Sequence, residues 1–163
     1  MKISFVVIIA IFCATSLGLH AARQPPAPYT AVEVDRFTAA PGVAFPFEYR
    51  SALADDIARE ISLAFPSVII VRQGEASPDG HAPLRITGVV TKFKPSIGLG
   101  AGSSGVRAQV EFSDAATGQV LLRRELSGVT WIALAGGSTR PPGDSLTRKI
   151  AKLCNSARLV ASY

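Results

Sequence analysis

Apolar residues recur along this chain with two periods, and the switches between them mark out its elements. From Phe47 to Phe65, Tyr49, Leu53, Ile57, Ile61 and Phe65 return every fourth position, while Asp55, Asp56, Arg59 and Glu60 fall between them. That spacing predicts an amphipathic helix, ended by Pro66. A second helix is predicted after Pro141-Pro142-Gly143, with Asp144 as N-cap. There Leu146, Ile150, Leu153, Ala157 and Val160 share one face, opposite Arg148, Lys149, Lys152 and Arg158. Period-two stretches predict strands. Tyr29 to Phe37 is the first, interrupted by Pro41 to Pro46, and Val68-Ile69-Ile70-Val71 is a short run of β-branched residues. Leu84 to Phe93 alternates until Val89-Val90, where a bulge near Gly88 is expected. Val106, Ala108, Val110 and Phe112 alternate with Arg107, Gln109 and Glu111. Asp114 to Gly118 then turns the chain into Gln119 to Leu126, giving a hairpin that Gly128 to Ala135 would extend or follow with another strand. The order β-α-β-β-β-β-α implies an α+β fold, a mostly antiparallel sheet of four to five strands with both helices on one face.

Residues 1–22 have a different pattern. Lys2 is followed by an unbroken apolar run from Ile3 to Phe12 and then by small and weakly polar residues to Ala22. These are the parts of a secretory signal peptide. Two other readings stand beside it: an uncleaved anchor, since Ile3 to Ala22 approaches the roughly 20 residues of a membrane span, and lipidation at Cys13. The bulky Phe12 spoils the lipidation motif. Arg23 to Pro28 reads as a proline-rich tether, and residues 29–163 as a single α+β domain of ordinary size.

Charge and cysteine content narrow the classes. The chain has 17 Lys+Arg against 12 Asp+Glu, and only Lys2 of these lies in the leader. The basic excess favours anionic surfaces such as lipid headgroups or acidic glycans, and equally suits a solvated surface without a partner. Beyond the leader Cys154 is the sole cysteine, which excludes an intramolecular disulfide. Its place in the helical apolar pattern fits a buried thiol.

Candidate chemistry is sparse. Ile97 to Gly105 is glycine-rich, but a strand pattern follows it where a phosphate loop needs a helix N-terminus, and the Lys-Ser/Thr ending is missing. Adjacent Asp55 and Asp56 point about 100° apart on a helix and cannot face one substrate. Ser103 and Ser104 lack a nucleophile elbow. His81, with Asp79, would be their base in a serine-type hydrolase. Trp131 is either core or a partner anchor. No ligand-spaced pair indicates a metal, and nothing resembles a nucleic-acid motif. No residue is assigned as catalytic, cofactor-binding or metal-ligating.

From Leu84 onward the wording resembles a bacterial envelope family, domain of unknown function 4410. The likeness rests on Leu84-Arg85-Ile86-Thr87-Gly88, Phe93, the Gly98 to Gly105 run, Val106-Arg107-Ala108-Gln109-Val110 and Asp114 to Gly118. The helix Tyr49 to Phe65 and the Val68 strand extend it over most of residues 29–160. The resemblance implies an envelope location, often as a lipoprotein, and no assigned activity. The β-α-β-β layout is also similar to envelope domains that build periplasmic scaffolds or secretion rings. The expected protein is an exported, non-enzymatic domain that binds another envelope protein or serves as a scaffold. Its alternatives are an anionic lipid or glycan binder, touching a membrane through the basic last helix, and a small hydrolase. Oligomeric state is left open.

Overall fold

The computed structural model describes residues 28–95, 104–130 and 145–161. Its elements are β1 (Ala31–Val34), β2 (Thr38–Ala39), α1 (Phe47–Ala64), β3 (Ile69–Val71), β4 (Leu84–Lys94), β5 (Ser104–Asp114), β6 (Val120–Thr130) and α2 (Leu146–Ser156). The fold is α+β, in the expected order, with the first strand divided in two.

The sheet differs from expectation in size and direction. It has six strands, ordered β3-β1-β4-β5-β6 with β2 also on β4. β4, β5 and β6 form the antiparallel meander, but β1 pairs parallel with both β3 and β4, and β2 is parallel to β4. The sheet is therefore mixed. α1 carries the chain from β2 back to β3, a parallel crossover. β3 and β4 flank β1, so the 72–83 connection must also pass β1 to join them. A right-handed crossover from β3 to β4 runs on the side away from the helices, the side on which Ala31 and Glu33 are each only 1% exposed. Thr30 ties this connection down by donating its hydroxyl to Asp79.

One apolar cluster lies between the sheet and the helices. Leu53, Ile57 and Ile61 of α1, Ile150 and Cys154 of α2, and Ile86, Val90, Val110 and Phe112 of the sheet are all buried. Burial of each large aliphatic side chain contributes roughly 1.5–3 kcal/mol. Gly88 belongs to this inner row and pairs in register with Val110. A Cβ there would lie 2.1 Å from Cε1 of the buried Phe37 ring. The glycine therefore makes room for Phe37, which enters the core from the break between β1 and β2. The bulge falls three residues later, between Val90 and Lys92.

Both helix ends depart from the sequence reading. α2 is capped by Ser145, whose Oγ accepts from the Arg148 backbone N–H at 3.3 Å; Asp144 lies outside the described residues. The helix stops at Ser156, Arg158 turns the chain at φ 52°, and Val160 forms a parallel bridge with Tyr29. Asp114 organises the β5–β6 turn. Its Oδ1 accepts from the Thr117 backbone N–H and hydroxyl, both at 2.8 Å, and from Ala116 N–H at 3.1 Å. Tyr29 donates its hydroxyl to Oδ2 at 2.9 Å. Burial pushes this carboxyl up, but these hydrogen bonds outweigh it and hold the group below its ordinary range. Burial and the Asp114 contact together push the Tyr29 hydroxyl up to about 12. Among the described residues no helix is long and apolar enough to cross a membrane.

Candidate anion-binding groove

The bulge in β4 decides which residues face outward at that strand's far end. Leu84, Ile86, Gly88 and Val90 point into the core, so strict alternation would bury Lys92 next. The extra residue, Thr91, resets the alternation. Phe93 then turns inward, 5.2 Å from the Phe45 ring and 5.8 Å from that of Tyr49. Lys92 and Lys94 turn outward. Thr91 fixes the irregularity by donating its hydroxyl to the Arg107 carbonyl at 3.3 Å.

Lys92 stands directly opposite Arg107, and Lys94 opposite Gly105. Across the next ladder Arg107 faces Ser127, and Gly105 faces Val129. Gly105 contributes no side chain, so the surface dips between Lys94 and Val129. Lys149, the fourth cation, comes from α2: the Val129–Ser145 bridge brings the helix start to the β6 edge, and its ammonium donates to the Ser127 carbonyl at 2.7 Å. Lys92, Lys94, Arg107 and Lys149 thus surround an open groove of about 380 Å³. Among the described residues one acid answers them: Glu125 lies 3.5 Å from Arg107, with both side chains more than half exposed, a contact of little strength. Among the described residues Lys92 and Lys94 form no ion pair.

At the opposite end of β4, Arg85 also faces outward, but into a carboxylate pair. Its Nε donates to Glu33 Oε1 at 3.0 Å, with Asp35 Oδ2 at 4.0 Å. Burial, and then the charge of Glu33, push the Asp35 carboxyl up, while Arg85 draws it down; the net direction is up. A larger hollow of about 690 Å³ lies beside this cluster, between α1 and the ends of β1 and β3. Asp35, Asp55, Arg36 and Arg72 line it, and their mixed signs give no preference for either charge.

The residues singled out from sequence scatter. Ser104 begins β5, beside the Lys94–Gly105 pair, whereas His81 precedes Leu84 at the other end of β4. The strand rise separates them by about 30 Å. Asp79 accepts from the His81 backbone N–H at 3.0 Å. No hydrolase triad forms from Ser104, and Ser103 lies outside the described residues, as do residues 97–103 of the glycine-rich stretch and Trp131. As anticipated, a strand follows the glycines. Cys154 is fully buried, which pushes its thiol up to about 12 and closes it to a partner thiol. The basic face of α2 divides: Arg148 turns to Glu60 of α1 at 3.9 Å, Lys149 turns to the sheet edge, and Lys152 and Arg158 stay exposed. Among the described residues no three His, Cys, Asp or Glu side chains gather as metal ligands. Sequence reasoning missed Lys92, Lys94 and Arg107. The broken alternation at Val89-Val90 was the available signal, and placing the bulge at Gly88 misdirected it.

Comparison with solved structures shows a likeness of fold. The PelC dodecamer from Paraburkholderia phytofirmans superposes with a TM-score of 0.53 at 17% identity, covering 85% of this chain and 96% of that chain. The likeness is one of fold. A single-substitution variant of the PelC dodecamer gives a TM-score of 0.51 at 16% identity, with the same coverage. Lipoprotein GNA1162 from Neisseria meningitidis matches at 11% identity over 80% of this chain and 94% of that one, but its TM-score of 0.42 is too low to carry an argument. No protein-family model and no curated relative matches the sequence.

Proposed function

We propose that this chain is an exported envelope protein of the kind its resemblance to domain of unknown function 4410 implies, and that it works without catalysis as one subunit of a multi-copy assembly. The fold likeness to PelC carries the reading, because it spans 85% of this chain and nearly all of a protein solved as a dodecamer. The leader pattern supports export. The separation of His81 from Ser104 argues against a hydrolase, and the divided cations of α2 argue against a flat membrane-binding helix. Among the described residues β6 is an outer strand whose edge is met only by Ser145 at Val129 and by Lys149 at the Ser127 carbonyl, which leaves its earlier part to support contacts between copies.

The test is to express the full-length chain with its leader, fractionate the cells, and measure N-terminal mass and assembly mass on the recovered protein. The expected result is recovery from the envelope fraction as a species of many subunits. A monomer at tens of micromolar would overturn the assembly, and an intact leader on cytosolic protein would overturn export.

A further inference from the structure

We propose that the groove at the far end of β4 binds an acidic glycan, a linear saccharide bearing carboxylates on successive or alternate sugars. The argument begins with an electrostatic cost left standing. Lys92 and Arg107 are directly opposed on one sheet face, an arrangement that destabilises a strand pair. Lys94 follows on the same face, and Lys149 is brought in from a separate element. Among the described residues Glu125 is the one acid paired with these cations, and it touches only Arg107. Four cations drawn from two strands and one helix, with so little compensation, fit a ligand that brings its own negative charge.

The shape selects among anions. Lys92 and Lys94 project from one strand two residues apart, which separates their bases by about 7 Å. A ligand with several carboxylates along a chain meets both, whereas one compact anion meets one. Arg107 adds a planar fork matched to a carboxylate. The floor is apolar, formed by Gly105, Val129 and the lysine methylenes, and it accepts the C–H face of a sugar ring. A lipid bilayer presents a plane and does not enter a groove, and among the described residues none of the large exposed apolar side chains lines this one for insertion. The inference stands apart from the assembly proposal: a monomer would carry the same groove.

The test uses the full-length chain in non-ionic detergent, titrated calorimetrically with tetragalacturonate at ~150 mM salt, with maltotetraose as the neutral control. Binding of the acidic tetramer alone is expected, weakening as salt is raised. K92E/K94E should lower the affinity at least tenfold, while K152E/R72E, the same charge change outside the groove, should leave it within twofold. Far-UV circular dichroism establishes that both variants fold. No binding by the wild type, or equal losses in the two variants, would overturn the proposal. Displacement of the tetramer by phosphatidylglycerol doped into the micelles would overturn it in favour of a lipid headgroup.

Discussion

Arg85 and the pair Lys92 and Lys94 stand on the same strand and the same outward face, yet their surroundings differ completely. Arg85 is one-third exposed and is held between Glu33, which is 1% exposed, and Asp35. Lys92 has the cation Arg107 opposite, Lys94 follows it on the same face opposite Gly105, and among the described residues neither has an acid of its own. The cause is topological. At the Arg85 end, β1 pairs with β4 and the 72–83 connection crosses over that face, so any charge there needs a partner inside the protein. At the lysine end, among the described residues, only the meander and the start of α2 frame the face, and water or a ligand can satisfy the charge. One end of β4 is neutralised within the fold, and the other directs its charge outward.

Removing Arg85 breaks this contrast most severely. R85M leaves the buried Glu33 carboxylate beside Asp35 with no cation, and the expected loss is about 3–5 kcal/mol at neutral pH, read from urea denaturation. E33Q/R85M removes the orphaned charge and should recover more than half of the loss. A loss below about 1 kcal/mol in R85M, the range of an exposed pair, would show that the two ends are treated alike.

The contrast was only half legible in the sequence. The period-two pattern of Val106 to Phe112 and the four-residue spacing of Leu53, Ile57 and Ile61 depend on neighbours close in sequence, and those elements stand where expected. The parallel pairing of β1 did not show. Between β3 and β4 the crossover is an irregular polar stretch, Gln73 to Pro83, and composition does not distinguish a crossover from a hairpin loop. Glu33 read as the polar half of an alternating strand; only the path of 72–83 over it makes it a buried charge. The groove was hidden for a similar reason. One bulged residue reverses the facing of everything after it, and its position depends on how Phe93 packs against Phe45 and Tyr49, contacts distant in sequence.

Asp35 sharpens the comparison through pH. Its carboxyl is raised above the ordinary 3.8, by burial first and by Glu33 second. A raised carboxyl binds its proton more tightly in the folded state than in the unfolded one. Its contribution to stability is therefore present at low pH and is lost as the pH climbs from the ordinary value through the raised one. D35N should remove that part of the slope and be no less stable than wild type at neutral pH, as measured by urea midpoints across this interval. An unchanged slope would mean that Arg85 fully compensates both acids.

The smallest effect is the most telling, because its sign is opposite. Taking a cation away from the neutralised end costs stability, but K92Q/K94Q takes two away from an end where Lys92 opposes Arg107 and Lys94 lies beside them on the same face. Relief of that repulsion should leave stability unchanged or raise it by ~0.2–0.5 kcal/mol at low salt. The gain should fade as salt screens the exposed charges. Urea denaturation at two ionic strengths reads both. A loss of more than about 1 kcal/mol would mean that the lysines have partners within the protein, and the groove would then be a structural surface. A neutral or favourable change leaves these cations without a role in holding the fold, and their clustering around one groove is then explained by what they bind.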